Sequence, residues 1–509
     1  MIEWKTPLLA AIVAVGMAGC TVGPNYAPPE TLVPDHYGEG GAALQSTTRP
    51  STMPATTQAA TQPTLGPAEK WWQNFKDPQL DSLVERALQS NLDLRLAEAR
   101  IRQARAQYGI AVSAEFPIGT GTGSFSRSRS SNFGRTNTST STSISGSSSG
   151  NANNLYQAGF DASWEIDVFG GGRRGIEAAG GDIEASVEDR RNTLVTLLSE
   201  VAKDYIDYRG YAQQIAIAKE NVDAQTQTLD VTRRQFNAGL KTATELDVAN
   251  AEALVATTQS QIPELEISLH QTAHALAILL GKEPNTLIAE LAASKPIPSA
   301  EIPEVPIGLP SALLRRRPDI RRSERQLAAS TARIGVAMAD LFPKFSLTGS
   351  LGLESAKFNG LGNYGSRFWS VGPSVSWPIF DFGKIRSTIR VQNAVQEQAL
   401  VVYEQTVLAA LADVEDSLVA YGREQVRRQN LKDAVAANIR AVSLARQRYD
   451  AGLTDFLQVL IAERSLYSVQ DQLVLSNRMV SEDLVAVYKA LGGGWEVMEA
   501  AARPEETRK

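Results

Sequence analysis

Few side chains of this 509-residue chain have the types and spacing that chemistry needs. His270 and His274 stand four apart on a predicted helix, so they share a face and have the spacing of two metal ligands. Gln271 follows the first histidine where a zinc protease would carry glutamate, and the alternative is a pair of surface histidines. Gly146-Ser147-Ser148-Ser149-Gly150 matches the G-x-S-x-G pattern of a nucleophile elbow, but it lies in a serine-rich loop and lacks the strand-to-helix setting that pattern requires. Gly170-Gly171-Gly172 precedes Arg173-Arg174 without the spaced glycines of a dinucleotide loop, and reads as a strand-to-helix corner. No catalytic constellation, metal site or cofactor site is expected. A net charge of −6 gives no basic surface for nucleic acid.

The elements that position the remaining residues begin with an address. Lys5, an apolar run from Pro7 to Val15 and then Met17-Ala18-Gly19-Cys20 predict a secretory signal over residues 1–19. The run is too short to span a bilayer. Cys20 is the only cysteine, so no intramolecular disulfide can form. Its setting resembles the lipobox of bacterial lipoproteins, with Met17 in place of the usual leucine. The resemblance implies a lipidated (palmitate-bearing) N-terminus at Cys20; a plain signal or an unmodified thiol are the alternatives. Thr21 rather than aspartate after the cysteine implies, by the same resemblance, the outer membrane. Residues 20–69 read as a lipid-anchored extended segment and a Thr/Pro/Ala/Gln-rich linker. No later apolar run is long enough for a transmembrane helix, so a chain that crosses a membrane must do so as a closed barrel.

The folded part contains one unit twice, over residues 70–285 and 311–495, joined by a linker at 286–310 and followed by a tail at 496–509. At an offset of 226, Asp93 falls on Asp319, Gly109 on Gly335 and Phe116-Pro117 on Phe342-Pro343. Further along the offset is 213, and Trp164, Phe169-Gly170 and Gly239-Leu240 fall on Trp377, Phe382-Gly383 and Gly452-Leu453. The 13 extra residues of the first copy lie in the Ser/Thr/Gly/Asn tract Ser126–Asn154, a solvated loop. Each copy reads helix, strand, loop, strand, very long helix, tight tip, return helix.

Strands are expected at about 116–128, 155–168, 342–355 and 367–381. Tyr156, Ala158, Phe160, Ala162, Trp164 and Ile166 alternate with polar residues, and Trp369, Val371, Pro373, Val375 and Trp377 do the same. The long helices run roughly from Gly171 to Asn237 and from Gly383 to Asp450, each on the order of 100 Å at helical rise. Leu194, Leu198, Val201, Tyr205 and Tyr208, spaced 4-3-4-3, have counterparts in Val407, Leu411, Val414, Leu418 and Tyr421, a coiled-coil seam in both copies.

Four strands with one apolar face form an open sheet whose edges are not viable in lipid, and even small membrane barrels need about 8 strands. Other copies of the chain must therefore complete the barrel. Tyr156, Trp164, Trp369 and Trp377 suit its aromatic girdles.

The duplicated unit is similar to the TolC-type outer-membrane efflux proteins. Thr21-Val22-Gly23-Pro24-Asn25-Tyr26 and Leu491-Gly492-Gly493-Gly494-Trp495 resemble the lipoprotein branch that serves RND-type drug and metal pumps. The resemblance implies an α+β membrane protein: a homotrimer with a 12-stranded barrel, four strands per chain, continued by an α-helical coiled-coil barrel in the periplasm. It implies no catalysis and a passive exit duct coupled through a periplasmic adaptor to an inner-membrane pump. A duct for secreted polypeptide and a non-porous structural or adaptor lipoprotein are the other readings. The matching adaptor-contact positions are Arg234, Gly239, Leu240 and Thr242 at one tip and Arg448, Gly452, Leu453 and Thr454 at the other; plain turn chemistry is the alternative. The family's aspartate ring inside the closed tip falls here on Gln458 and Ile461. Glu245, Asp247 and Asp455 are nearby acids that can supply charge there or simply suit helix N-termini, and Ile461 is a candidate apolar constriction.

Overall fold

The computed structural model describes residues 21–29, 68–129, 152–239, 243–293, 296–298 and 315–496. The principal elements are α1 (Pro78–Ser90), α2 (Leu92–Ser113), β1 (Ile118–Ser128), β2 (Asn153–Ile166), α3 (Gly171–Asn237), α4 (Glu245–Leu279), α5 (Pro318–Ala339), β3 (Lys344–Ser355), β4 (Arg367–Ser376), α6 (Lys384–Asp450) and α7 (Phe456–Ala490). The duplication is exact in helix length. α2 and α5 have 22 residues each, α3 and α6 have 67, and α4 and α7 have 35.

Two compact units cut across the repeats. One comprises 1–28, 102–184 and 325–401, the other 29–101, 185–324 and 402–509. A single repeat has apolar faces it cannot cover alone, so each unit is assembled from both.

The first unit holds the sheet, ordered β1-β2-β3-β4 and antiparallel throughout. β1 forms despite its glycines because Phe125, Ser124 and Thr122 register against Tyr156, Gln157 and Gly159. Register sorts the side chains: Phe160, Leu351 and Trp369 share one row, and Asp161, Ser350 and Ser370 share the next, on the opposite face. Ser346–Ser374 and Ser350–Ser370 hydroxyl contacts at 2.7 and 2.8 Å tie the polar face. No residue of the four strands is buried by this chain. Phe160 is 67% exposed and Trp369 77%. A sheet with a bare apolar face and two free edges is not a finished soluble structure.

The second unit is helical and carries the core. Every one of Leu194, Leu198, Val201, Tyr205 and Tyr208 is buried there, as are Val414, Leu418 and Tyr421. Trp71 sits at its centre, stacked on Tyr488 at 5.3 Å. Among the described residues no helix is long and apolar enough to cross a membrane.

Candidate functional site: sheet faces and helix tips

At the foot of the sheet each repeat makes the same anchor. Trp164 Nε1 donates to the Glu115 carbonyl at 2.8 Å, and Trp377 Nε1 donates to that of Leu341 at 3.0 Å. Both girdle candidates keep an indole ring on the apolar side and satisfy the polar end on backbone. Tyr156 packs on Phe125 at 4.7 Å and on Phe358 at 5.7 Å at the opposite end of the strands. Phe368 departs from the alternation: it lies on the polar face, where a Cβ on Gly352 would come within 2.9 Å of its ring.

The N-terminal motif has a physical reason that spacing alone does not reveal. Arg174, only 4% exposed, donates to the Val22 carbonyl at 3.2 Å and to Asn25 Oδ1 at 2.6 Å. A Cβ on Gly23 would stand 2.5 Å from the Gly335 Cα, so two backbones touch there. The closing motif is explained in the same way. Gly494 has φ +103, and a Cβ on it would meet Leu198 at 2.7 Å, while Trp495 donates to the Arg316 carbonyl at 3.1 Å under the Arg191 guanidinium.

The helix tips repeat one turn. Gly239 and Gly452 both have φ +70, the left-handed conformation that ends a helix. Gly239 N–H donates to the Phe236 carbonyl and Gly452 N–H to that of Tyr449, each at 2.9 Å, and Leu453 N–H reaches Arg448 O at 2.8 Å. Arg234, Arg448 and Leu453 are exposed and Thr454 is half-buried. Cys20, Leu240, Thr242 and the Gly146–Gly150 pattern lie outside the described residues. Both tips meet in one cluster, in which Leu229, Ala251, Tyr449, Phe456 and Val459 are buried together.

The candidate acids are divided by capping. Asp247 forms a capping box with Thr244: its Oδ2 accepts from the Thr244 N–H at 2.9 Å and from the hydroxyl at 2.7 Å. Asp455 is the N-cap of α7 without a side-chain cap bond, and Glu245 is exposed in the first turn of α4. Gln458 and Ile461 lie three apart on the exposed face of α7. The imidazole rings of His270 and His274 are 6.4 Å apart, and among the described residues no three acidic, histidine or cysteine side chains form a metal-binding group.

Sequence reasoning missed a polar seam. Asp207, Gln214, Asn221, Thr228 and Gln235 occupy successive heptad positions of α3. They meet Arg478 (3.3 Å), Asp471 (2.7 Å), Gln470 (3.1 Å) and Glu463 (2.9 Å) on α7 and Tyr449 on α6. The heptad of polar residues was legible; that they face another helix rather than water was not. At one end of the seam burial pushes the Glu482 carboxyl up to about 8, helped by a hydrogen bond with Asp207. Burial also lifts Asp204 and Asp483 to about 6.

The sheet, the tips and the duplicated helices are those of a known class. The sequence matches the outer membrane efflux protein family over residues 83–282 and 309–493, and the chain belongs to that family. It is similar to the pyoverdine export outer membrane protein OpmQ of Pseudomonas aeruginosa, 36% identical over 84% of this chain and 88% of the relative. It is likewise similar to the toluene efflux pump outer membrane protein TtgI of Pseudomonas putida, 32% identical over 98% of this chain and 100% of the relative. Its structure resembles the outer-membrane channel OprN with a TM-score of 0.81 and 36% identity, over 94% of this chain and 100% of that one. The protein is an outer-membrane efflux channel of the TolC fold.

Proposed function

We propose that three copies of this chain close a 12-stranded barrel and form the passive exit duct of a tripartite system, driven by an inner-membrane pump through a periplasmic adaptor. The observation that carries this reading is the sheet: one apolar face, one hydroxyl-rich face, and two edge strands each hydrogen-bonded on one side only. Cys20 carries the lipid anchor, adding attachment without insertion. The exposed Arg234, Arg448 and Leu453 around Gly239 and Gly452 offer the adaptor its contact, with Leu240 and Thr242 completing that tip. Gln458 and Ile461, with Glu245 and Asp455 near them, narrow the closed end. The cargo is a small molecule, as in the relatives named for pyoverdine and toluene, and selection rests with the pump.

Reconstitution in planar bilayers tests the duct: discrete conductance steps are expected, and a heat-stable oligomer in mild detergent. Deleting the gene should raise sensitivity to drugs, solvents or metals. If only export of a polypeptide is lost, the secretion reading replaces this one.

A further inference from the structure

The two repeats make one junction inside the chain and leave its counterpart open. Phe169, just after β2, stacks on Phe342, just before β3, with centroids 4.6 Å apart and planes at 21°. Within the helical unit, Asp189 of α3 pairs with Arg322 of α5 at 2.6 Å. Carried along the repeat offsets of 213 and 226, Phe169 becomes Phe382 and Phe342 becomes Phe116, while Asp189 becomes Val402 and Arg322 becomes Leu96. Phe382 is 92% exposed, Phe116 62%, Leu96 50% and Val402 48%.

We propose that the counterpart junction is made between copies: Phe382 of one chain stacks on Phe116 of the next, and Val402 packs on Leu96 of the next. This deepens, and rests on, the trimeric reading above. Three observations carry it. Phe382 follows β4 and Phe116 precedes β1, and these are the two edge strands that must pair antiparallel when the sheet closes, as β2 pairs with β3 within the chain. The faces that lose a charged pair gain an apolar one, the chemistry of a permanent interface rather than of a solvated surface. Phe382 also stands at φ 53, a conformation a non-glycine residue holds only when its surroundings impose it, and within this chain its ring meets only Phe380 at 4.6 Å among the ring contacts of the described residues. The helix contact inside the chain is thus ionic and its counterpart between chains apolar, so added salt screens the first and spares the second.

Cysteine pairs test this in membranes bearing the full-length protein. Oxidised Phe116→Cys/Phe382→Cys should give disulfide-linked dimers and trimers on a non-reducing gel, with neither single variant doing so. Phe169→Cys/Phe342→Cys should cross-link at monomer mass. If the 116/382 variant fails to reach the membrane, Leu96→Cys/Val402→Cys is judged by the same outcomes. A product at monomer mass, or none while the parent protein runs as a heat-stable trimer, overturns the proposed junction. A parent protein with no oligomer overturns the trimeric reading itself.

Discussion

Gly452 and Glu482 illustrate two ways in which one residue controls this fold. Gly452 at φ +70 lets Leu453 N–H close on the Arg448 carbonyl. A Cβ there has open space around it, so Gly452→Ala costs only the left-handed strain, about 1–2 kcal/mol. Hydrogen exchange at the Leu453 amide should accelerate in that variant, and unchanged exchange would show that the turn carries no such strain. Glu482 is a matter of protons. Its folded carboxyl is lifted from the ordinary 4.5 to about 8, so the folded chain keeps a proton that the unfolded chain has lost. That stabilisation is complete below about pH 4.5 and disappears as pH rises through 8. Asp204 and Asp483, lifted to about 6, lose theirs earlier. The melting temperature of the helical unit should therefore fall between about pH 4.5 and pH 8, and Glu482→Gln should flatten the part of that fall above pH 6; a variant with the parent's profile would assign the dependence elsewhere.

Among elements, the decisive pair is α3 with α7. An apolar seam supplies adhesion, but apolar side chains are tolerant of sliding by a heptad. The polar residues at 207, 214, 221, 228 and 235 set the register, because sliding by a heptad would take each away from the partners it meets here. Glu463 is the most exposed to loss: it is 6% exposed and accepts from Arg446 at 2.7 Å and Thr228 at 2.9 Å. Arg446→Met should destabilise by on the order of 2 kcal/mol, less than the 3–5 of a fully buried pair because the arginine is partly in water. Glu463→Met in that background should restore part of the loss, read by thermal unfolding. The helices were legible in sequence because their seam is apolar at 4-3 spacing and their ends carry Ala-Gly-Leu. For Asp247 the sequence leaves gate charge and a helix N-terminus both open, and only geometry shows Thr244 holding it in a capping box.

For the whole molecule, the conductance and cross-linking outcomes above decide assembly, and salt offers a further check. Raising ionic strength should leave the heat-stable oligomer intact, since apolar contacts are not screened, and dissociation by salt would contradict an apolar boundary. The sequence by itself determined the duplication, the four amphipathic strands, the two tips and the secretory address, because periodicity and repeated turn residues are local properties. Only the tertiary structure decided which repeat faces which. The Arg174 clasp on Val22 and Asn25, the tryptophan anchors and the stacked Phe169–Phe342 pair join residues at least 36 positions apart. No local pattern encodes such distances. They follow from burying faces that a single repeat leaves bare, and that same accounting leaves Phe382, Phe116 and the two strand edges waiting for another copy of the chain.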